Sequence, residues 1–337
     1  MPSSAPTRPT ATRPVAAALA ALLVAGCHAA PVVPSGATAD SLRIRQDVEF
    51  LAADRLEGRG SGTAGNDSAA VFAAARFRAL GLDSLGLAGY LQPFQVRAPR
   101  AADPHAPAGP ARATQNVVAF LEGSDPRLRG EYVVIGAHFD HLGRSSEGAL
   151  DPDADGAIRN GADDNASGTA AVLELARLLR QHRPARSIAF VLFSGEELGL
   201  LGSSYFVNNP IVPLDRAVAM VNFDMVGRLR DGKLIVYGVE TADEMRAIVD
   251  GANAGGVLSI RGVGDGYGPS DHSSFYGKGI PVLHLFTDLH DDYHRASDDA
   301  DKVSAAGVAQ VVAYAERAIR DIASRSARLT ARQAAAP

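Results

Sequence analysis

The sequence predicts an α/β fold: a three-layer sandwich in which a mixed, mostly parallel β-sheet is flanked by helices. Two observations predict it. Short β-branched apolar runs alternate with amphipathic helical stretches, the order of a largely parallel sheet with crossover helices. Ionisable residues also collect just after those runs, and in such sheets sites form beyond the carboxyl ends of the strands.

Taken in order, Ala73, Phe77 and Leu80 recur at helical spacing, and Gly81 supplies a C-terminal stop. Residues Ala98 to Thr114 are rich in Pro and Ala and read as a surface loop. Asn116–Leu121 and Tyr132–His138 read as strands. Gly168–Gln181 is a helix, with Val172, Leu175, Ala176 and Leu179 on one face. Ser187–Phe193 is continuously apolar after its first residue, the signature of a central strand buried on both sides. Ala217–Phe223, Lys233–Tyr237 and Val282–Phe286 are further strands. A last helix, from about Ser304 to Ala323, carries Val308, Val311, Val312, Ala315, Ile319 and Ile322 on one stripe. There is no internal repeat.

The 337 residues suffice for one large domain or two small ones, with ample core. A formal charge of −5 leaves no basic footprint for nucleic acid. At the N-terminus, Arg8 and Arg13 precede an apolar stretch, Val15 to Val24, that is too short to span a membrane. Together with Ala25-Gly26-Cys27 it has the parts of a secretory signal. The ending Leu23-Val24-Ala25-Gly26-Cys27 resembles a bacterial lipobox, which implies cleavage before Cys27 and lipid attachment to its sulfur. The other reading is plain secretion with a chance cysteine. Cys27 is the single cysteine, so no intrachain disulfide can form. Removing residues 1–26 takes away two arginines and no acids, moving the formal charge from −5 to −7. The expected organisation is a signal over 1–26, a spacer over 27–42, one domain over 43–325 and a frayed tail over 326–337. The expected location is the bacterial cell envelope: a lipoprotein anchored through Cys27 on the periplasmic side. His28, in place of an Asp, points toward the outer membrane.

Five clusters carry candidate chemistry. His138 and Asp140, two apart at a strand end, point the same way. They fit a metal-bound imidazole with an acidic orienter, or simply a hydrogen-bonded pair. Asp163-Asp164-Asn165 precede a helix and read as N-capping residues or as metal ligands. Glu196-Glu197 follow a buried strand, where two adjacent carboxylates do not both ionise comfortably without a cation. One could bind metal and the other act as general base. The alternative is two solvated residues at a helix start. Asp224 lies one residue past a buried run, where acids are seldom found unpaired. The fifth cluster, HDDYH, holds His290, Tyr293 and His294.

Together, in this order, the set resembles the M28 family of co-catalytic zinc metallopeptidases. The matching stretches are GAHFDHLG, NGADDNASGTAAVLELA, FSGEELGLLGS, NFDMVGR, SDHSSF and DDYHRASDDADKV, with LEGRGSGTAGN resembling the family's entry segment. The resemblance covers about Asp47 to Ile322. It implies a zinc-exopeptidase fold and two zinc ions bridged by Asp164, with His138 and Asp224 on one and Glu197 and His294 on the other. It makes Glu196 the general base for a bridging water and Asp140 the orienter of His138. Tyr293 is either a hydrogen-bond donor to the oxyanion or a packing residue. Asp271 and His272 would shape the pocket. The peptide bond Asp164–Asn165 would be cis. The implied function is aminopeptidase action on peptides. The protease-associated insert of some members is absent, since only Arg97–Gln115 stands in its place. Arg295-Ala296-Ser297 replaces the Thr-Pro-x of many relatives.

Rival readings have their own signatures. HDDYH as a degenerate HExxH zincin needs both histidines on one helix face, yet Asp291-Asp292 are poor interior helix residues. A carboxypeptidase, or acyl transfer of the glutaminyl cyclase kind, would use the same fold. A non-catalytic receptor would have lost a ligand or Glu196, and none is missing. The runs GRGSG and GVGDGYG do not lead from strand to helix, which argues against a nucleotide site.

Overall fold

The computed structural model describes residues 1–5, 38–97, 110–151 and 153–333. Contacts divide the chain into two units, Met1–Pro31 and Val32–Pro337, and every element below lies in the second. The signal sequence beyond residue 5, Cys27 and residues 334–337 lie outside the described residues.

The elements run α1 (Ser41–Leu51), α2 (Ala64–Ala79), β1 (Leu91–Arg97), β2 (Ala111–Leu121), β3 (Tyr132–His138), α3 (Gly168–Gln181), β4 (Ser187–Phe193), α4 (Leu201–Asn208), β5 (Ala217–Phe223), β6 (Lys233–Tyr237), α5 (Met245–Ala252), β7 (Ser259–Val263), α6 (His272–Tyr276), β8 (Val282–Phe286) and α7 (Ala305–Ser324). The strands form one sheet in the order β1-β2-β4-β3-β5-β8-β6-β7. The four central strands, β4-β3-β5-β8, are mutually parallel, while β1, β2 and β4 pair antiparallel, as do β6 and β8. This is the mixed, mostly parallel sandwich expected from the sequence.

Strand alternation divides the core in two. Val133, Ile135 and Ala137 of β3 face a large cluster that includes the apolar stripes of α3 and α7. Val134, Val191 and Met220 face a smaller one with Phe206 of α4 and Phe275 of α6. Gly136 in β3 is required by that packing, because a Cβ there would stand 2.7 Å from the Phe193 ring. Burying one Val or Leu side chain is worth about 1.5–3 kcal/mol, so these stripes fix which face each strand turns inward.

The topology positions the site. β3 is flanked by β4 and β5, so the crossovers that follow it leave in opposite directions. The carboxyl edge at such a reversal is where open α/β sheets form their crevice. Register aligns the three strand ends there: His138 pairs with Phe193, and Gly136 with Asn222.

Several boundaries differ from the sequence reading. The spacer expected over 27–42 overlaps α1, whose N-cap is Asp40, accepting from the N–H groups of Leu42 and Arg43 at 3.0 and 3.3 Å. Residues 111–114 belong to β2 rather than to a loop; Ala111, Arg112 and Ala113 are exposed and carry no apolar run, so nothing local shows their ladder with β1. The tail expected to fray from 326 is docked over 326–333. Leu329 is buried, Ala331 bridges to Ala242, and the Arg328 guanidinium donates to the Ala217 carbonyl at 2.8 Å. Backbone and guanidinium bonds to distant elements, invisible in an Ala- and Arg-rich sequence, hold it.

Candidate active site

The loop after β3 and the loop before α3 are tied together by one buried guanidinium. Arg59, fully enclosed, donates to the carbonyls of Phe139 (2.8 Å), Leu51 (2.7 Å), Asn160 (2.5 Å) and Gly161 (2.9 Å). Burial lowers its pKa to about 10, with Asp140 and Asp164 opposing, so it stays charged.

The stretch Asp163-Asp164-Asn165 divides the two roles that the sequence left open. Asp163 takes the structural one: its Oδ1 accepts from the Gly227 N–H (2.6 Å) and the Ser167 hydroxyl (2.9 Å). Asn165 accepts from the Gly168 N–H at 2.9 Å and donates to the Phe223 carbonyl at 2.9 Å, joining α3 to β5. The Asp164–Asn165 peptide is cis, as the resemblance implied. Asp164 faces the cluster. Its Oδ1 lies 3.2 Å from His138 Nε2, and its Oδ2 lies 3.1 Å from His294 Nε2.

Around Asp164 the expected residues converge. Asp224 Oδ1 is 3.4 Å from His138 Nε2, and Glu197 Oε2 is 3.2 Å from His294 Nε2. Burial alone would raise the Asp164 carboxyl, but bonds from His138 and His294 and the charge of His141 hold it well below the usual range. His294 is pushed to about 10, because Asp164 and Glu197 outweigh its burial. Glu196 is raised well above the ordinary carboxylate value by burial; His138 opposes, while Glu197, Asp224 and Asp271 add to the rise. Tyr293 stacks on His294, with ring centroids 3.8 Å apart, and lines the same cavity as Glu196.

These spacings fit a metal. Zinc bonds of about 2.0–2.1 Å in a tetrahedron put neighbouring ligand atoms about 3.3–3.4 Å apart. The four contacts from His138 and His294 to the carboxylates, at 3.1–3.4 Å, match that edge. His138, Asp164 and Asp224 can converge on one ion. His141, Asp164 and Glu197 also lie close enough to do so, but His141 Nδ1 is only 2.7 Å from Glu197 Oε1. That is a hydrogen bond, too short for two ligands of one ion, whereas His294 meets Asp164 and Glu197 at ligand spacing, 3.1 and 3.2 Å.

His141 is the residue the sequence reading passed over, although it follows Asp140 directly in GAHFDHLG. Its ring is buried and seated against Gly161, where a Cβ would approach His141 Cγ to 2.4 Å. Outer partners of this kind orient a ligand, and losing one typically costs 10–100-fold in metal affinity. His141→Ala should therefore weaken zinc binding by about that factor in a chelator competition. His141→Gln, which keeps a donor, should recover part of it, whereas equal affinities in all three proteins would assign His141 to packing alone.

Other placements refine the expectations. His138 Nδ1 is 3.2 Å from the backbone carbonyl of Asp140 and 3.7 Å from its carboxylate, so orientation comes chiefly from the carbonyl. The carboxylate instead accepts from Ser61 Oγ (2.8 Å) and the Glu196 N–H (3.2 Å). The two histidines of HDDYH sit on a turn, His290 meeting Asp163 at 3.1 Å and His294 meeting Asp164, which removes the zincin reading. Asp298, also missed, accepts the N–H groups of Asp163 and Asp164 at 2.9 and 3.1 Å and is held by Arg228 at 3.0 Å. His272 lines the cavity, as expected of a pocket-shaping residue. Asp271 is buried beside it, and burial raises its carboxyl to about 7.

Two cavities meet at Glu197. One, of about 130 Å³, holds the cluster and is walled by Tyr237, His284 and Phe286. The other, of about 460 Å³, opens past His141 between Ser61, Arg112 and Leu198.

Fold and site together define an α/β protein with a carboxylate–imidazole cluster, able to hold metal, at the carboxyl edge of its sheet. The chain belongs to peptidase family M28, whose family model matches residues 116–319. It is 34% identical over 190 residues to leupeptin-inactivating enzyme 1 of Streptomyces exfoliatus, covering 56% of this chain and 38% of that protein. It is 35% identical over 127 residues to an aminopeptidase of Pseudomonas aeruginosa strain UCBPP-PA14, covering 37% of this chain and 20% of that one. The matches thus span well under half the length of these curated relatives. In fold it is similar to an aminopeptidase of Aneurinibacillus sp. strain AM-1, with TM-score 0.68 and 19% identity over 88% of this chain and 97% of that one. A glutaminyl cyclase of Porphyromonas gingivalis is similar at TM-score 0.67 and 20% identity, over 84% and 99%.

Proposed function

We propose that the protein is a dinuclear zinc aminopeptidase that removes N-terminal residues from peptides. The observation that carries this reading is the division of Asp164, one oxygen facing His138 and Asp224, the other facing His294 and Glu197. A shared carboxylate between two such sets is the construction of a two-metal hydrolase. Bound there, the two cations would supply Lewis acidity toward the scissile carbonyl and toward the attacking water. Glu196 takes the proton of that water and passes it to the leaving amine. Tyr293 offers its phenolic hydroxyl to the developing oxyanion. The side chain of the first residue enters the 130 Å³ cavity, and the leaving chain runs past His141 into the 460 Å³ one. Metal analysis of the purified chain, with a panel of aminoacyl anilides, tests this. Two zinc ions per chain and hydrolysis that needs a free α-amino group are expected. Equal cleavage of N-blocked substrates, or cyclisation of N-terminal Gln without peptide hydrolysis, would move the assignment to another activity on the same fold.

The envelope location rests on the lipobox alone. Cleavage before Cys27 and acylation of its sulfur would anchor the enzyme on the periplasmic side, with the outer membrane favoured by His28. Stable anchoring generally takes more than one acyl chain. Cys27→Ser should convert membrane-bound enzyme to soluble, active enzyme in fractionated cells. Soluble wild-type protein with another N-terminus would remove the anchor and leave the chemistry untouched, since no proposed ligand lies before His138.

A further inference from the structure

The 130 Å³ cavity carries a polar group that peptide-bond hydrolysis does not use. Asp224 Oδ2 accepts a hydrogen bond from Ser270 Oγ at 2.6 Å. A carboxylate only accepts, so the single proton of the Ser270 hydroxyl is committed to it. Asn222 Nδ2, 2.8 Å from Ser270 Oγ, must then be the donor of that second contact. Its other hydrogen is directed at His284 Nδ1, 3.2 Å away. His284 Nδ1 is therefore an acceptor, and the ring proton sits on Nε2.

The rest of the ring is accounted for. One face stacks on His272, with centroids 4.3 Å apart and planes 2° apart, and Phe286 lies 6.1 Å from it at 19°. Burial lowers the His284 pKa to about 4, with Asp224 opposing, so the imidazole is neutral. Nε2 has no partner among the described residues, and His284 lines the cavity. Both nitrogens of His272 are sealed and unpartnered, so they offer nothing to a substrate.

We infer that His284 is a specificity residue whose Nε2–H is presented to the side chain of the first substrate residue, and that it selects an uncharged carboxamide, Asn or Gln, over an aliphatic group of the same size. This rests on the aminopeptidase reading. Asn and Leu have the same number of side-chain heavy atoms, so the comparison between them turns on polarity rather than on size. An acidic side chain would add a carboxylate to a pocket already lined by those of Asp164, Glu197 and Asp224. A carboxamide oxygen satisfies the donor, whereas a leucyl side chain covers it without pairing it, which is how polar sites reject apolar isosteres.

The test compares kcat/KM for asparaginyl and leucyl anilides in the wild type and in His284→Phe, which keeps a ring against His272 and deletes the donor. The asparaginyl-to-leucyl ratio should fall about five- to tenfold in the variant, the size of one neutral hydrogen bond. On the wild type alone, free L-asparagine should inhibit at a lower concentration than L-leucine, a measurement that stands even if the variant fails to fold. A ratio that the substitution does not change, or leucine as the stronger inhibitor, overturns the inference while leaving the aminopeptidase reading intact. Wild-type protein that cleaves neither anilide overturns the aminopeptidase reading itself, and the inference with it.

Discussion

Glu196→Gln should fold, keep its zinc and lose about 10²–10⁴-fold in kcat, the usual contribution of a general base. The amide preserves the shape of the side chain but takes up no proton. Glu196 lies close enough to His138 and Glu197 to share an ion with them, but it makes none of the imidazole contacts at 3.1–3.4 Å that Asp164, Asp224 and Glu197 make. Its backbone N–H is held by the Asp140 carboxylate at 3.2 Å, which keeps the residue beside the cluster. The adjacent substitution should behave differently. Glu197→Ala removes the carboxylate shared with His294 and His141, and zinc content should fall with activity. Metal analysis beside kcat on a leucyl anilide distinguishes the two. A Glu196→Gln enzyme within tenfold of wild type would take the base assignment away from this residue.

What the sequence made legible follows from where free energy is concentrated locally. β3, β4 and β5 are runs of apolar residues buried on both faces, and their ends could be read almost to the residue. Acids and imidazoles at those ends stood out because burial there needs compensation. The outer part of the sheet did not stand out. The edge strand β7 and the first three residues of β2 are largely exposed, and their stability comes from ladder bonds that leave no long apolar run. The supporting groups were hidden for a different reason. Arg59 reaches Gly161, and Asp298 reaches Asp164, across more than a hundred residues of chain, so nothing local marks them. His141 was the exception, an ionisable residue inside a stretch already singled out. It was passed over because His138 and Asp140 already completed a ligand-and-orienter pair, and the partner of His141, Glu197, comes from the next strand's end.

Asp164→Ala should be the most damaging change to the metal centre, with zinc falling from two ions per chain to one or fewer and activity to that of the metal-free protein. The reason is that Asp164 faces both imidazoles at once, Oδ1 toward His138 and Oδ2 toward His294, so in the proposed centre it would serve both ligand sets. The neighbouring acid provides the contrast. Asp163→Ala leaves the Gly227 N–H and the Ser167 hydroxyl without their carboxylate acceptor in a buried setting, which should cost about 1–3 kcal/mol of stability. It should leave the zinc count near two, because Asp163 turns its other oxygen to His290 and away from the cluster. Zinc stoichiometry and denaturant unfolding on both variants read the two effects separately. A zinc count that stays at two in Asp164→Ala, or collapses equally in both, would show that the shared carboxylate is not Asp164.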